Sequence, residues 1–133
     1  MSARPPPSGR LLLEPQFVLR RTVSTMAREM GLADVQEATS ATVAEKLLAE
    51  WRFDALLLAL DEEGQALELL RRVRAGQPSQ AVDLPAVAMA ASCDVEMALR
   101  LKQLDVCRLL LKPFKVRGVL EAIAALRPPV TAG

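Results

Sequence analysis

The chain has 133 residues, a formal net charge of +1 and a hydrophobic content of 51%. This length and composition predict one folded domain with a buried core, and they exclude a disordered chain. The absence of histidine removes the commonest general base and metal ligand, and the near-neutral charge excludes strong whole-molecule attraction to nucleic acid or membranes.

The first part of the chain pairs short apolar runs with segments of helical periodicity. Residues 1–9 include three consecutive prolines, and we predict a disordered tail there. Residues 11–13 are all leucine and predict a first strand. Apolar residues then repeat at helical spacing as far as Gly31, a residue typical of a helix end. Residues 33–38 indicate a weaker second strand.

The middle of the chain contains the clearest strand. Thr42 and Glu45 have the spacing of a capping box, which predicts the start of the second helix. Residues 54–60 form a nearly continuous apolar run and predict the third strand. The third helix should bury one face, formed by Ala66, Leu69, Leu70 and Val73.

The last part of the chain repeats the same pattern twice. Residues 84–90 predict the fourth strand, and the helix that follows has Ser92 or Asp94 as its N-cap. Residues 106–111 predict the fifth strand, and residues 127–133 a second disordered tail. The last helix should bury Val116, Val119, Leu120 and Ile123.

Five alternations of strand and helix predict an α/β fold over residues 10–126. We expect a flavodoxin-like, doubly wound parallel sheet of five strands with five helices, (βα)5, because helices then cover both sheet faces. Continuous apolar strands fit this fold, since a strand buried on both faces has no reason to alternate. Leucine and alanine favour helix, so an all-helical bundle is the competing fold. Pro113 opposes the bundle, because proline interrupts a helix.

The two cysteines, Cys93 and Cys107, are too few for a disulfide framework and lack metal-ligand spacing. Both lie near or within apolar segments, so we predict small core residues in a reducing cytoplasm, with a redox pair as the alternative. No apolar run approaches the roughly 20 residues that span a bilayer, and the N-terminus lacks a secretion signal. We therefore expect a cytoplasmic protein.

The run of residues 107–114 is a short apolar strand that ends in Lys112, Pro113 and Phe114 before an amphipathic helix. In fifth place of the alternation, this run resembles the last strand of response-regulator receiver domains, the CheY-like family. The resemblance covers residues 10–126. It implies that Lys112 would hold a phosphate carried on an aspartate and that the bond between Lys112 and Pro113 is cis.

At most positions where the family places phosphotransfer groups, this chain has residues that cannot supply them. The family's two Mg²⁺-holding acids fall on Glu14 and Pro15, its phosphoacceptor on Ala59, its phosphoryl-binding Ser or Thr on Ala90 and its switch aromatic on Leu109. Acyl phosphate formation needs a carboxylate nucleophile and a bridging divalent ion. The chain therefore resembles a receiver that lacks the phosphoacceptor aspartate, and we expect no enzymatic activity.

Asp61 is the one nearby carboxylate that could substitute for the missing acceptor. It lies two residues beyond Ala59, so in an extended strand it would point to the same side. The other interpretation is an exposed acidic loop, since Glu62 and Glu63 follow directly. We expect no cofactor, and at most weak Mg²⁺ binding at Glu14 and Asp61.

Lys112 has two interpretations. As an anion-binding lysine, it would be retained for a phosphate-like ligand. Alternatively, its charge is neutralised by Glu14, with Asp61 nearby, because an ammonium group at a partly buried edge needs a counter-charge. We favour the neutralised lysine.

The resemblance and the lost chemistry together predict a stand-alone pseudo-receiver, a phosphorylation-independent protein-interaction module in bacterial two-component (phosphorelay) signalling. The first alternative is a phospho-accepting single-domain response regulator that uses Asp61. The second is a small-molecule sensor whose ligand occupies the space that the alanines leave.

The predicted interaction surface combines the fourth helix, the fifth strand and the fifth helix. It is predominantly basic, which suits an acidic surface on a kinase, regulator or output protein, and a homodimer through the same face is a further prediction. The alternative interpretation is a solvent-exposed charged surface with no binding role. The basic residues are not accompanied by a DNA-recognition helix or by aromatic residues that could stack on bases, so we expect no nucleic-acid partner. The basic residues are Arg100, Lys102, Arg108, Lys115 and Arg117.

Overall fold

The computed structural model describes residues 9–31, 34–61, 63–77, 80–112 and 115–125. Strands and helices alternate, and among the described residues no helix combines the length and apolarity needed to cross a membrane. The elements are β1 (Gly9–Leu13), α1 (Phe17–Glu29), β2 (Asp34–Ala38), α2 (Ala41–Glu50), β3 (Ala55–Ala59), α3 (Gln65–Arg74), β4 (Ala86–Ala90), α4 (Val95–Gln103), β5 (Arg108–Leu111) and α5 (Val116–Ala125).

The strands form one parallel sheet in the order β2-β1-β3-β4-β5. The prediction of a doubly wound five-stranded sheet is confirmed, and the all-helical alternative is wrong. Every residue of the central strands β3 and β4 is buried, because helices cover both faces of the sheet. Strand order reverses between β1 and β3, which is where such sheets bind ligands, beyond the carboxyl ends of the strands.

Two apolar layers pack on opposite faces of the sheet, and successive residues of β3 point to one layer and then the other. Leu56 and Leu58 join the layer under α2 and α3, which contains the predicted α3 face. Leu57 and Ala59 join the layer under α1 and α5, which contains Val119, Leu120 and Ile123 as predicted. The helix face that sequence periodicity indicated is therefore confirmed for α3, and for α5 at these three residues. The predicted burial of Val116 lies outside the described side chains.

The helix ends correct one prediction and decide another. The side chain of Ser40 accepts a hydrogen bond from the Val43 amide at 3.2 Å, so Ser40 is the N-cap of α2 and the capping box at Thr42 is wrong. Asp94, not Ser92, caps α4 by accepting from the Met97 amide at 2.8 Å. The capping side chains define the first residue of each helix more precisely than apolar periodicity does.

Three predicted segments differ at their limits or lie outside the described residues. Gly9 belongs to β1 rather than to the N-terminal tail. The rest of that tail, residues 1–8, and the tail at 127–133 are outside the described residues. Pro113 and Phe114, with the predicted cis bond, are outside them as well.

The prediction that both cysteines are core residues is wrong for Cys107. This thiol is exposed, because Cys107 precedes the edge strand β5, where no further strand covers the chain. Cys93 is half-buried and packs against a small cluster formed by Leu67, Ala88 and Leu101. Both cysteines are free thiols.

Candidate functional site

The carboxyl ends of the inner strands and of β5 meet at one edge of the sheet. Glu14 follows β1, Ala59 and Ala90 end β3 and β4, and Lys112 follows β5. The Lys112 amide donates to the Ala90 carbonyl at 2.7 Å, which continues the ladder one residue past β5. The four residues that the sequence placed together do lie at this edge, which we call the carboxyl edge.

Glu14 and Lys112 form an ion pair at the carboxyl edge. The Lys112 ammonium donates to Oε1 of Glu14 at 2.7 Å, and the Glu14 side chain is only 1% exposed. The other carboxylate oxygen, Oε2, accepts from the Gln16 amide at 3.1 Å. A carboxylate this deeply buried needs such partners, and the pair with Lys112 is the one that the sequence predicted. Asp61 accepts from amides of α3 instead.

Arg20 of α1 contacts the segment that follows β1, and the sequence did not predict this role. Its guanidinium donates to the Glu14 carbonyl at 2.9 Å and to Glu37 Oε1 at 3.1 Å. The ring of Phe17 lies 5.5 Å from the guanidinium carbon. The sequence does indicate a charged residue on the buried face of α1, because Arg20 precedes Val23 by three residues. It does not identify Glu37 as the partner of Arg20, because Glu37 lies on β2.

Asp61 has a structural role at the start of α3. Its Oδ2 accepts from the Gln65 amide at 3.1 Å and its Oδ1 accepts from the Ala66 amide at 2.9 Å. Gly64, with a φ of 76°, lets the chain turn between Asp61 and the helix. Both oxygens are therefore committed to amides that would otherwise lack partners. Asp61 is half-buried rather than part of an exposed acidic loop.

The donor set at the carboxyl edge does not fit Mg²⁺. This ion demands near-octahedral oxygen coordination. Both oxygens of Glu14 are occupied by Lys112 and the Gln16 amide, Pro15 offers no side-chain ligand, and Asp61 faces α3. Within the described residues no three acidic, cysteine or histidine side chains cluster as a metal site would require.

Ala59, Ala90 and Leu109 place only hydrocarbon where the resemblance expects an acceptor, a hydroxyl and an aromatic ring. Ala59 and Ala90 are each 6% exposed. Leu109 packs against the cluster of Leu67, Ala88 and Leu101. None of the three side chains can accept or hydrogen-bond a phosphoryl group.

We call the predicted interaction surface the basic face. All five of its Lys and Arg side chains face solvent: Arg100, Lys102, Arg108, Lys115 and Arg117. Leu101 alone is buried among the nine described residues of α4, and Val95 and Leu99 of that helix are 77% and 56% exposed. The surface therefore combines apolar side chains with an excess of positive charge.

Arg74 of α3 holds the segment between α4 and β5 in place. Its guanidinium donates to the carbonyls of Leu104, Leu84 and Val82 at 2.8, 2.7 and 2.8 Å. Burial lowers the pKa of Arg74 from its ordinary value. Because α4 buries only one residue, the hydrogen bond from Arg74 to the Leu104 carbonyl supplies part of its attachment to the domain.

Comparison with known proteins gives a consistent picture. No protein-family model matches the chain. It is 26% identical over 114 residues to the chemotaxis protein CheY of Pseudomonas aeruginosa, covering 85% of this chain and 90% of that protein. It is 25% identical over 114 residues to CheY-3 of Vibrio cholerae, with coverage of 85% and 86%.

Solved structures share the fold over nearly the whole chain. A response regulator receiver protein from Pseudomonas putida matches with a TM-score of 0.76 and 25% identity, over 92% of this chain and 98% of that one. The chemotaxis protein CheY4 of Vibrio cholerae matches with a TM-score of 0.77 and 18% identity, over 90% and 98%.

Proposed function

We propose that this CheY-like receiver domain, a class that the sequence and structural similarities support, is a phosphorylation-independent protein-interaction module of two-component signalling. The observation that carries the proposal is the carboxyl edge. Its acceptor position is Ala59, and its lysine is already paired with the buried Glu14.

The carboxyl edge opposes phosphotransfer at each chemical requirement. A methyl group has no lone pair to attack phosphorus, so Ala59 cannot form an acyl phosphate. Without a divalent ion, nothing neutralises the incoming phosphoryl oxygens. Lys112 is already paired with the buried Glu14, so its charge is partly neutralised before any phosphoryl group arrives. We therefore propose that the domain signals without catalysis.

The basic face is the surface on which we expect a partner. Exposed Val95 and Leu99 lie four residues apart, so they share one side of α4 and can be covered by apolar side chains of another protein. The surrounding Lys and Arg residues would steer and orient an acidic surface. A kinase, regulator or output protein with an acidic, partly apolar docking segment fits this description.

The predicted homodimer through the basic face is less favourable than an acidic partner. A two-fold axis would place Arg100 and Lys102 close to their own copies, and like charges brought together across an interface oppose association. We therefore assign the basic face to a different protein.

Partner capture with matched variants tests this assignment. Arg100→Glu/Lys102→Glu reverses two exposed charges on α4, and Lys46→Glu reverses an exposed charge on α2 as the control. We expect the α4 variant to lose a partner that the wild type and the Lys46 variant retain. Pre-incubation with acetyl phosphate and Mg²⁺ should leave capture unchanged. Capture that rises or falls with acetyl phosphate would contradict the proposal.

The alternative, a phospho-accepting regulator that uses Asp61, makes a distinct prediction. Asp61 lies beside the carboxyl edge, but its oxygens accept from the Gln65 and Ala66 amides. Intact mass after incubation with acetyl phosphate and Mg²⁺ separates the two functions. We expect no mass gain. A gain of one phosphoryl group that Asp61→Ala abolishes would establish the alternative.

A further inference from the structure

Strand β2 forms one edge of the sheet, so one side of its backbone has no neighbouring strand. The carbonyl of Ala38 accepts from the Glu14 amide at 3.1 Å, so Ala38 directs its backbone groups towards β1. Backbone groups of successive strand residues alternate in direction, so those of Val35 and Glu37 point away from the sheet. Within the described residues no hydrogen bond reaches these outward groups. Strand β2 therefore offers unpaired donors and acceptors to another strand.

Strand β2 lacks the features that commonly keep an exposed strand edge from pairing. Such edges are interrupted by a bulge, or they carry proline or lysine. All five residues of β2 pair in continuous register with β1, and their sequence, DVQEA, contains neither proline nor lysine. The Glu37 carboxylate is held by Arg20 and by Arg21, each at 3.1 Å, so the middle of the edge carries no unpaired charge. The edge is therefore open to a further strand.

We propose that β2 pairs in an antiparallel manner with β2 of a second copy of this chain, around a two-fold axis at Gln36. Val35 of each copy then lies opposite Glu37 of the other, and the two residues exchange both backbone hydrogen bonds. Gln36, whose side chain is exposed, lies opposite itself in the closer, non-hydrogen-bonded pair, where the two side-chain amides can bond to each other. The two five-stranded sheets thereby become one continuous sheet.

The charges along the two sheet edges favour β2 over β5 for this pairing. Because the Lys112 amide faces β4, the outward groups of β5 belong to Leu109 and Leu111. The same two-fold pairing at β5 would place Arg108 opposite Lys112 of the other copy, and like charges directly opposite each other destabilise a strand pair. At β2 the pairing places Asp34 opposite an alanine, so no like charges meet. An edge that is complementary to itself selects a second copy as its occupant.

The dimer leaves the basic face of each copy free. Strands β2 and β5 are opposite edges of the sheet, so pairing through β2 places the two basic faces at the far ends of the joined sheet. A target with two acidic docking segments would bind both faces, and linked binding events strengthen the overall attachment. Pairing at β2 is independent of the proposed function, because it would persist if the basic face had no partner.

The dimer should be weak and concentration-dependent, because one pair of short strands buries little surface compared with a stable interface. Sedimentation velocity of the full chain from micromolar to millimolar concentration should show a reversible shift from monomer to dimer. A protein that stays monomeric over this range, as it would if the edge served a strand of a different protein, overturns the proposal.

Charges introduced at Gln36 test the position of the axis. Gln36→Glu sets two carboxylates opposite each other, and Gln36→Lys sets two ammonium groups there. Each variant alone should shift the monomer–dimer midpoint roughly fivefold to higher concentration, because like charges directly opposite each other oppose strand pairing. An equimolar mixture of the two variants pairs opposite charges and should dimerise near the wild-type midpoint. A mixture that dimerises as poorly as its components would show that the axis does not pass by Gln36.

Matched controls keep failure to fold separate from failure to dimerise. Gln36 is exposed, so circular dichroism and thermal unfolding of both variants should match the wild type. Arg108→Gln alters an exposed residue on the opposite edge of the sheet and should leave the midpoint unchanged. If Arg108→Gln shifts the midpoint as far as the Gln36 variants do, the contact between copies does not lie at β2.

A disulfide at the axis reports the pairing directly. Opposed residues of a non-hydrogen-bonded antiparallel pair have Cα atoms about 4.5 Å apart, a separation that a disulfide can span. In a chain that carries Cys93→Ala and Cys107→Ala, Gln36→Cys should form a covalent dimer on mild oxidation. Asp34→Cys lies away from the axis and should not. Cross-linking at both positions alike, or at neither, overturns the proposal.

Discussion

The carboxyl edge and the basic face differ in how their charges are satisfied. At the carboxyl edge, Glu14 is held by Lys112 and the Gln16 amide, and Asp61 caps α3. On the basic face, charged and apolar side chains project into solvent from α4. The polar groups at the carboxyl edge are thus satisfied within the domain, whereas the charges of the basic face are exposed to solvent.

The difference has an energetic consequence. Removing one member of a buried ion pair costs about 3–5 kcal/mol, whereas an exposed charge contributes roughly 0–1 kcal/mol. Substitutions at the carboxyl edge should therefore change stability, and substitutions on the basic face should change binding alone.

The largest loss of stability is expected at Leu57, in the middle of β3. Leu57→Asp should lower the free energy of unfolding by about 4 kcal/mol or more, because it buries an unpaired charge in a fully buried strand. Ala59→Asp is the matched change at the end of the same strand and should cost about 1 kcal/mol, since the ammonium of Lys112 lies at that edge. Urea unfolding measures both. Equal losses would show that the edge is no more tolerant of charge than the core.

Breaking the ion pair at the carboxyl edge should have the next largest effect. Glu14→Ala leaves Lys112 without its counter-charge and the Gln16 amide without its acceptor. Because the Lys112 side chain is 22% exposed and solvent screens it in part, we expect a loss of about 2 kcal/mol.

Glu14→Gln keeps the shape of the side chain and removes its charge, so it isolates the electrostatic part of that loss. It should be less destabilising than Glu14→Ala. If both variants unfold at the same urea concentration as the wild type, the Glu14–Lys112 pair contributes nothing to stability.

Asp61 should behave as a helix cap rather than as a reactive group. Asp61→Ala removes the acceptor of the Gln65 and Ala66 amides and should cost about 1 kcal/mol. Asp61→Asn retains one accepting oxygen and loses the other, so its cost should lie between those of the wild type and the alanine variant. Thermal unfolding compares them. An alanine variant as stable as the wild type would show that the cap is dispensable.

The smallest expected change is a gain in stability at Gly118 of α5. A Cβ added there would meet nothing within 4 Å, and its φ is not positive. Gly118→Ala should therefore stabilise the protein by about 0.5–1 kcal/mol, because alanine loses less backbone entropy on folding. Gly64→Ala is the opposite control, since its φ of 76° disfavours alanine. A destabilised Gly118 variant would contradict an open surface at that position.

The sequence predicted the sheet because continuous apolar runs, such as residues 54–60, mark strands buried on both faces. It also predicted the Glu14–Lys112 pair, because parallel strands place both residues at the same edge of the sheet, and the two long side chains span the distance between β1 and β5. Arg20 of α1 was missed because its partner Glu37 lies on a different element, β2. The cap by Asp61 was missed because it depends on the turn at Gly64, which no apolar pattern records. Local contacts of polar side chains were thus the least predictable part.

We propose that Ala59 occupies the position where receiver domains carry the phosphoacceptor, and Pro15 the position of a Mg²⁺-holding acid. A Mg²⁺ titration followed through amide NMR signals of the wild type and of Pro15→Asp/Ala59→Asp tests it most directly. We predict no saturable shifts near Glu14, Ala59 and Lys112 in the wild type, and saturable shifts there in the double variant. Saturable shifts at these positions in the wild type, or none in the double variant, would contradict the account.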